Sequence, residues 1–366
     1  IRDSSTSRGL GDVYKRQDTL YAMKKNNKIL TVGIAAYNME LYLSRCLDSL
    51  VCIGNLNDVE ILIVNDGSTD ATLQIAQEYE SLYSQSVKVI DKPNGGWGSV
   101  VNLVIQEATG KYFRLLDADD WYESDSFSEF VSRLSAISSD LVLSPYMLEY
   151  VEIGKKKLVP FQNVEFGKTY DYSQLIQLSW GKDWFDLPSI TYRTEILQKN
   201  HIAIAECFYA DIEYDYLPLR YVKNFVFLDL SIYRYFIGRA GQSVSREGST
   251  RHYPDHLKIT RRVIEYFNIQ RQEGTDEVYL EIVKRIAKAK ICQNYVVLLS
   301  YYLERVEADK LLLDFDAYLQ EANVELYNEV EKGLGIPGIY PIRLWRRYKY
   351  NIYQSLLYKL RNKILK

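Results

Sequence analysis

Histidine and cysteine are scarce in this chain, and their spacing excludes several kinds of site. Only three histidines occur among 366 residues. His252 and His256 are four residues apart, but Pro254 lies between them and argues against a regular zinc-binding helix. The four cysteines show no C-x-x-C spacing, so we expect reduced thiols rather than a zinc ribbon, a redox motif or a disulfide framework: they are Cys46, Cys52, Cys207 and Cys292.

Long apolar runs and a strong net charge are also missing. The longest apolar stretch, near Tyr295–Leu303, is far shorter than the ~20 residues of a membrane-spanning helix. The start of the chain is polar and has no apolar segment typical of a secretion signal. The formal net charge is −3, which gives no argument for a nucleic-acid partner. Hydrophobic residues make up 47% and charged residues 25%, as in ordinary globular proteins, and we expect a cytoplasmic protein.

The two ends of the chain differ from the rest in composition. Residues 1–22 are interpreted as a disordered leader, because 12–17 resembles a translated sequencing adapter; the native start is expected near Met23. Residues 339–366 contain many basic residues, no acidic ones, and apolar residues close to one helical face. This tail fits a peripheral membrane anchor at the inner face of the plasma membrane. A terminal helix docked on the protein is the equally open alternative.

Between these ends, buried strands alternate with helices. Near-continuous apolar runs such as 29–36 and 60–64 are typical of strands buried on both faces. Further strands are predicted over 87–90 and 111–116, and helical spacing over 40–50, 72–81 and 99–109. This order predicts a doubly wound parallel sheet. Later strands are predicted over 140–144, 146–151, 157–164 (after a charged turn at 155–157) and 228–235, and helices over 254–266, 276–300 and 308–321.

Each of the first four strands is followed by polar residues at the same end: Tyr37 and Asn38, Asp66, Asn94, and Asp117 to Asp120. In open parallel sheets, ligands bind beyond the carboxyl ends of the strands, so these loops should converge on one crevice. Asp117 and Asp119 place hard oxygen ligands at i and i+2, which suits a divalent cation that also touches phosphates. A solvated turn is the plain alternative for this acidic cluster.

These segments together resemble the family 2 glycosyltransferases, whose nucleotide-sugar-binding fold is called GT-A. The resemblance covers about residues 28–135 and is carried by 36–38, 64–70, 94–96 with Asn102, and 116–120. The resembled bacterial subgroup has an N-G-G-H-G-S stretch, in which this chain has Trp97 instead of the histidine. The family implies an α/β fold with a mixed, mainly parallel sheet flanked by helices. We expect it over 28–245, as a nucleotide-sugar half (28–135) and an acceptor half (136–245), followed by a helical extension over 246–338.

The resemblance also implies roles for individual residues. Asp117 and Asp119 are expected to bind Mg²⁺ or Mn²⁺, and Asp120 and Trp121 to face the donor sugar or the acceptor. Arg239 lies in a stretch that resembles the subgroup's G-R-x-G-Q-S loop, which is expected to close over the donor with its guanidinium on the diphosphate. The residues expected to contact the nucleotide-sugar are Ala36, Tyr37, Asn38, Asp66, Asn94, Gly95, Asn102, Asp117, Ala118 and Arg239. Plain alternatives are a turn for Asp66 and Asn94, core for Trp121 and an exposed loop for Arg239.

The family further implies an acidic residue ahead of a helix that deprotonates the acceptor hydroxyl. We assign Asp211, with Glu213 and Asp215 as fallbacks; a helix N-cap is the alternative role for Asp211.

The sequence therefore predicts a metal-dependent glycosyltransferase that moves a sugar from a nucleotide-sugar, such as a UDP-sugar, to a saccharide or lipid-linked acceptor of the cell envelope. Inversion at the sugar follows from the resemblance alone, and the chain is compatible with oligomers. A nucleotide-binding scaffold protein without catalysis is one alternative. A nucleotidyltransferase is another, although such enzymes usually have a basic Gly-rich loop where this chain has 37–40. A Rossmann dehydrogenase is disfavoured, because no G-x-G-x-x-G follows the first strand.

Overall fold

The computed structural model describes residues 28–178, 186–239, 242–243, 245–301, 305–334 and 340–348. The leader predicted over 1–22 and the tail beyond 348 lie outside these residues. Within the described ranges, every strand lies between residues 30 and 237, and only helices follow.

The first half of the sheet is a parallel four-stranded unit. Its strands follow the order β3-β2-β1-β4. The elements are β1 (Leu30–Ala36), α1 (Leu43–Val51), β2 (Val59–Asp66), α2 (Thr72–Leu82), β3 (Val87–Lys92), α3 (Trp97–Glu107) and β4 (Tyr112–Asp117). The strands are apolar and β-branched because helices cover both faces; Val32, Ile34 and Ile63 are fully buried. The predicted doubly wound order is confirmed.

The register of this unit brings the polar strand ends to one edge. Ala35 lies beside Asp117, and Asp66 lies beside Lys92. Gly33 allows α3 to lie close against β1, because a Cβ there would come within 2.8 Å of Val104. The predicted convergence of the strand ends is therefore observed in the fold.

The second half extends this sheet and adds a smaller one. Its elements are β5 (Trp121–Tyr122), α4 (Ser124–Ala136), β6 (Leu141–Leu143), β7 (Tyr146–Tyr150), β8 (Lys155–Val159), β9 (Thr169–Asp171), β10 (Ile190–Arg193), α5 (Thr194–Lys199), α6 (Asp211–Tyr216), β11 (Asn224–Phe227) and β12 (Tyr233–Ile237). The large sheet continues from β4 as β10-β6-β11-β9, and the small sheet has the order β5-β12-β7-β8. Because β10 is antiparallel to β4 and β6, the large sheet is mixed, as the resemblance implied.

Two local predictions for this half are wrong. The charged segment 155–157 lies in β8, and the turn is formed by 151–154 instead. The strand predicted over 228–235 begins only at Tyr233, in β12; residues 228–232 connect β11 of the large sheet to β12 of the small one. The segment that connects the two strands is also apolar, and Leu228, Leu230 and Ile232 are buried. Hydrophobic periodicity therefore does not distinguish this connection from a strand.

The C-terminal region is helical. It comprises α7 (Arg246–Arg251), α8 (Tyr253–Gln272), α9 (Glu277–Val296), a π-helical segment (Val297–Tyr301), α10 (Arg305–Ala322), α11 (Val324–Glu329) and α12 (Pro341–Tyr348). No helix in the described part of the chain is long and apolar enough to cross a membrane.

The described part of the tail, α12, docks on this helical region. Ile342 and Trp345 are buried, and the Arg346 Nε donates to Asp316 at 2.8 Å. The docked alternative therefore holds for 341–348, and the apolar face of this first part of the tail is not available to a membrane. The anchor prediction is left to 349–366, which lie outside the described residues.

Candidate active site

Asp66 organises the loop that leads into α3. Its Oδ1 accepts hydrogen bonds from the Lys92 Nζ (2.5 Å) and the Gly95 backbone N–H (2.9 Å), and its Oδ2 accepts from the Gly96 N–H (2.8 Å). The Asn94 side-chain amide donates to the Asp66 carbonyl at 2.8 Å. Asp66, Asn94 and Gly95 thus lie together as predicted, and the buried carboxylate is held in place by groups of the protein itself.

The loop after β1 is joined to the loop after β2. The Asn38 backbone N–H donates to the Ser68 Oγ (3.0 Å), and its side-chain oxygen accepts from the Thr69 N–H (2.9 Å). Asn38 itself has a left-handed backbone, with φ of 53°. Beside this junction Tyr37 is 48% exposed, which leaves an aromatic ring accessible for stacking on a nucleotide base.

Asp117 ends β4 and is contacted by Trp97, for which the sequence predicted no role. The Trp97 indole N–H donates to its Oδ1 at 3.2 Å. Burial, followed by the charge of Asp119, raises the pKa of Asp117 to about 7, and the Trp97 hydrogen bond and Arg239 act in the opposite direction. Tryptophan and the histidine of the resembled subgroup both carry a ring N–H, and that shared donor was the available signal.

Asp119 is flanked by two arginines. The Arg239 Nε donates to its Oδ2 at 2.6 Å. The Arg45 Nη2 donates to the Asp119 carbonyl at 2.7 Å, and its guanidinium lies 3.9 Å from the centre of the Trp121 ring. Arg45 comes from α1, and no pattern in the sequence indicated it. The predicted metal ligand Asp119 is therefore charge-balanced by Arg239, the residue predicted to contact the diphosphate.

Asp120 is turned into the protein. It is 1% exposed, its Oδ2 accepts from the Tyr233 hydroxyl (2.5 Å), and its Oδ1 accepts from the Phe236 N–H (2.7 Å). Burial and the neighbouring carboxylates raise its pKa well above the usual range. This carboxyl joins β4 to β12, and the geometry gives no support to its predicted contact with a sugar.

Asp211 is the first residue of α6 and is exposed. Ala210 occupies the N-cap position, and no side-chain cap is formed, so the structure does not support the cap alternative. The charge of Asp211 contributes to the raised pKa of Asp117, which puts the two carboxylates within electrostatic range. The fallbacks Glu213 and Asp215 are 1% and 3% exposed, so Asp211 is the one of the three candidates that is accessible to solvent.

Asn102 and Ala118 serve the architecture around the crevice. The Asn102 amide donates to the Ile204 carbonyl (2.9 Å) and accepts from the Ile204 N–H (2.7 Å). A Cβ at Gly98 would lie 2.0 Å from the Ala205 carbonyl oxygen, so α3 and the segment ahead of α6 are in close contact. Ala118 is buried. Asn102 thus fixes the segment ahead of α6 on α3, and its amide both donates and accepts a hydrogen bond there.

The donor set fits a divalent cation bound together with a phosphate ligand. The described residues contain no cluster of three His, Cys, Asp or Glu side chains arranged for a metal. Mg²⁺ is commonly held by one or two carboxylates and substrate phosphates, which matches Asp117 and Asp119. The Arg239 guanidinium already supplies positive charge at Asp119, as a cation would. Asp117, with a pKa near neutrality, would be ionised by such a cation.

Part of the chain matches known proteins. The family model for glycosyl transferase family 2 matches residues 31–207. An uncharacterized glycosyltransferase of Mycoplasma pneumoniae is 38% identical over 144 residues, which cover 38% of this chain and 46% of that protein. The chondroitin synthase of Pasteurella multocida is 39% identical over 100 residues, which cover 27% of this chain and 10% of the synthase. This chain therefore matches less than half the length of either relative.

The overall fold is similar to a solved structure. The crystal structure of S. aureus TarS 1-349 superposes with a TM-score of 0.57 at 19% identity, covering 83% of this chain and 90% of that one. The same protein has been solved in complex with UDP-GlcNAc, with a TM-score of 0.52 to this chain. At this level of identity the likeness supports the GT-A fold.

Proposed function

We propose, from the family 2 glycosyltransferase domain that residues 31–207 form, that the protein transfers a sugar from a nucleotide-sugar to an acceptor hydroxyl with the help of a divalent cation. The observation that carries this proposal is the arrangement at the end of β4. Asp117 and Asp119 form a carboxylate pair there, Arg239 lies 2.6 Å from Asp119, and the exposed Asp211 is within electrostatic range. A carboxylate pair, a cationic partner and a separate base are the groups that this reaction needs.

On the donor side, Asp117 and Asp119 would hold Mg²⁺ or Mn²⁺. When bound, this cation neutralises the negative charge that grows on the leaving diphosphate. Arg239 exchanges its contact with Asp119 for the diphosphate oxygens, where a guanidinium forms charge-assisted hydrogen bonds. The Trp97 N–H keeps the Asp117 carboxylate oriented.

On the acceptor side, Asp211 accepts the proton of the acceptor hydroxyl. The hydroxyl oxygen forms the new bond to the anomeric carbon as the bond to the diphosphate oxygen breaks. Attack from the face opposite the leaving group inverts the configuration of that carbon. The products are the glycosylated acceptor, the nucleoside diphosphate and one proton on Asp211.

UDP-sugars are the first donors to test, because TarS has been solved with UDP-GlcNAc. For the acceptor, we propose a saccharide or a lipid-linked saccharide, since the relatives include a chondroitin synthase. We also retain the proposal that residues 349–366 touch the membrane that would carry a lipid-linked acceptor.

A nucleotide-sugar screen tests this function. The full chain is incubated with a panel of nucleotide-sugars, with and without Mn²⁺, and its thermal stability and donor hydrolysis are measured. We expect stabilisation and slow hydrolysis with a UDP-sugar plus Mn²⁺, and neither in Asp119→Ala. Asp125→Ala is the matched control, since Asp125 is an exposed aspartate of α4. Absence of binding and hydrolysis with every donor would reject the proposal, and full Mn²⁺-dependent stabilisation of Asp119→Ala would reject the metal assignment.

A further inference from the structure

The helical extension reaches the segment that carries Asp211. Arg262 of α8 donates from Nε to the Glu213 Oε1 (2.6 Å) and from Nη2 to the Glu213 Oε2 (3.3 Å). The Ala205 N–H also donates to Oε2, at 2.7 Å. Glu213 is 1% exposed and lies two residues after Asp211 on α6. A buried carboxylate with three donors is a rigid attachment point, and its only cationic partner among these donors comes from the extension.

A second contact lies two residues before Asp211. The Tyr209 ring is stacked on the His256 ring, with centroids 3.5 Å apart and planes 15° apart. Its hydroxyl donates to the Ser243 carbonyl at 2.8 Å. Tyr209 has a left-handed backbone, with φ of 63°. A tyrosine keeps such a backbone only where its surroundings fix it, at a cost of order 1–3 kcal/mol.

Asp211 is therefore bracketed by two contacts with the extension. α6 has six residues, too few for a helix to be stable by itself. The large sheet holds its later part, since the Tyr192 hydroxyl of β10 donates to the Asp215 carbonyl at 2.8 Å. The ring contact of Tyr209 and the cationic contact of Glu213, on either side of Asp211, come from α8. On the other side, Ala205 follows Ile204, which Asn102 ties to α3. The segment that carries Asp211 is therefore connected to the helical extension through Tyr209 and Glu213, and to α3 of the donor half through Ile204.

We propose that Arg262 and His256 are positioning residues that hold the Asp211 carboxylate at the acceptor hydroxyl, so that the helical extension takes part in the transfer step. This rests on the proposed function of Asp211. Displacement of a reacting group by about 1 Å can cost on the order of 100-fold in rate. Loosening either contact therefore reduces the rate of transfer and leaves the donor site on the other half intact.

Arg262→Gln is the first test. Transfer to an acceptor is measured as kcat and donor KM, and the affinity for UDP plus Mn²⁺ is measured by calorimetry. We expect kcat to fall by roughly 10- to 100-fold, with unchanged donor KM, UDP affinity and binding stoichiometry. Arg262→Lys, which keeps one cationic donor for Glu213, should restore part of the rate. Arg271→Gln is the matched control, because Arg271 lies on the same helix and pairs with Glu325, away from Asp211.

His256→Leu is the second test. It keeps the inference testable if Arg262→Gln fails to fold. Neither His256 nitrogen has a hydrogen-bond partner in the described chain, so leucine fills the space without losing a polar contact. The stacked ring is lost, and kcat should fall in the same way. Parallel losses of kcat, UDP stoichiometry and melting temperature in both variants would mean a general structural role and would overturn the inference.

The two proposals fail in different ways. Wild-type kcat in Arg262→Gln and His256→Leu, together with loss of transfer in Asp211→Asn, would reject the positioning role and keep the glycosyltransferase. Failure of the wild-type chain to transfer a sugar from any donor would reject the proposed function itself, and the positioning role with it.

Discussion

The two halves of the predicted glycosyltransferase region, 28–135 and 136–245, hold their acidic groups by different means. In the first half, Asp66 and Asp117 accept hydrogen bonds from the loop that starts α3, which belongs to the same parallel unit. In the second half, the Asp211 side chain forms no helix cap. Its neighbours Tyr209 and Glu213 contact α8 of the helical extension. The proposed donor side is thus organised by its own sheet, whereas the proposed acceptor side also depends on the helical extension.

The two halves also differ in how strongly their carboxyl groups are buried and crowded. Burial and crowding of carboxylates raise the pKa of Asp117 to about 7 and that of Asp120 well above the usual range. Arg239 and Arg45 offset part of this charge at Asp119. Asp211 is exposed, and its charge adds to the repulsion at Asp117. A cation would therefore relieve repulsion on the donor side, while the base side needs only correct placement.

Replacing the proposed base should have the largest effect, because it should reduce the transfer rate without changing donor affinity. Asp211→Asn keeps the shape of the side chain and removes its ability to accept a proton. General bases contribute typically 10²–10⁴ in rate, so we expect transfer to fall by about that factor. The affinity for UDP plus Mn²⁺, measured by calorimetry, should stay at the wild-type value because the donor side is held independently.

Asp229→Asn is the control for this variant, since Asp229 is an exposed aspartate of the same half. A wild-type transfer rate in Asp211→Asn would exclude Asp211 as the base. A loss of UDP affinity of the same size as the loss of rate would show that the two halves are not independent.

Arg239→Ala should change metal and donor affinity in opposite directions. In the structure Arg239 pairs with Asp119, so its removal leaves that carboxylate more available and should increase the affinity for Mn²⁺ alone. With donor bound, the loss of hydrogen bonds to a charged group costs about 1.5–3 kcal/mol, or roughly 10- to 100-fold in affinity for the UDP-sugar. Calorimetric titrations with Mn²⁺ alone and with UDP-sugar plus Mn²⁺ measure both.

Arg133→Ala serves as the reference, because Arg133 forms an exposed pair with Glu129 within α4. If Arg239→Ala weakened donor binding and left Mn²⁺ affinity unchanged, the contact with the diphosphate would stand and the competition for Asp119 would be rejected.

The sequence predicted the parallel sheet and its crevice far better than the long-range contacts of single side chains. Four buried strands with polar ends indicate a parallel sheet and its crevice by themselves, because strand, helix and loop are adjacent in the chain. The partners of Asp120 and Glu213 come from β12 and α8, which are 113 and 49 residues away. Spacing carries no information about such contacts, so the burial of both carboxyls and the role of Arg45 were not foreseen.

The contact between extension and base segment should also make stability depend on pH. Burial, followed by the charges of Lys290 and His252, lowers the pKa of His256 to about 3. An unfolded histidine has a pKa of about 6.5, so below that pH the unfolded chain binds a proton that the folded chain lacks. Folding stability is then complete above pH 6.5 and falls as the pH decreases towards 3. At pH 5 the loss is about 2 kcal/mol.

Urea unfolding of the wild type and of His256→Leu at pH 7.5 and pH 5 measures this effect. Between pH 7.5 and pH 5, the free energy of unfolding should fall by about 2 kcal/mol less in the variant than in the wild type. His201→Asn is the control, because His201 is exposed and asparagine tolerates its left-handed backbone. Equal losses in His256→Leu and wild type would show that His256 is not the group responsible.

The smallest expected effect concerns the tryptophan of the donor half. Trp97→Phe keeps an aromatic side chain and removes the indole N–H that contacts Asp117 at 3.2 Å. Loss of this long hydrogen bond should cost about 1 kcal/mol, which is roughly a fivefold lower affinity for Mn²⁺. Trp97→His restores a ring N–H and should recover most of the affinity, whereas the rate of transfer at saturating Mn²⁺ should not change in either variant. Equal Mn²⁺ affinities of Trp97→Phe and wild type would mean that the sheet alone orients Asp117, and the donor side would then be even more self-contained than the structure indicates.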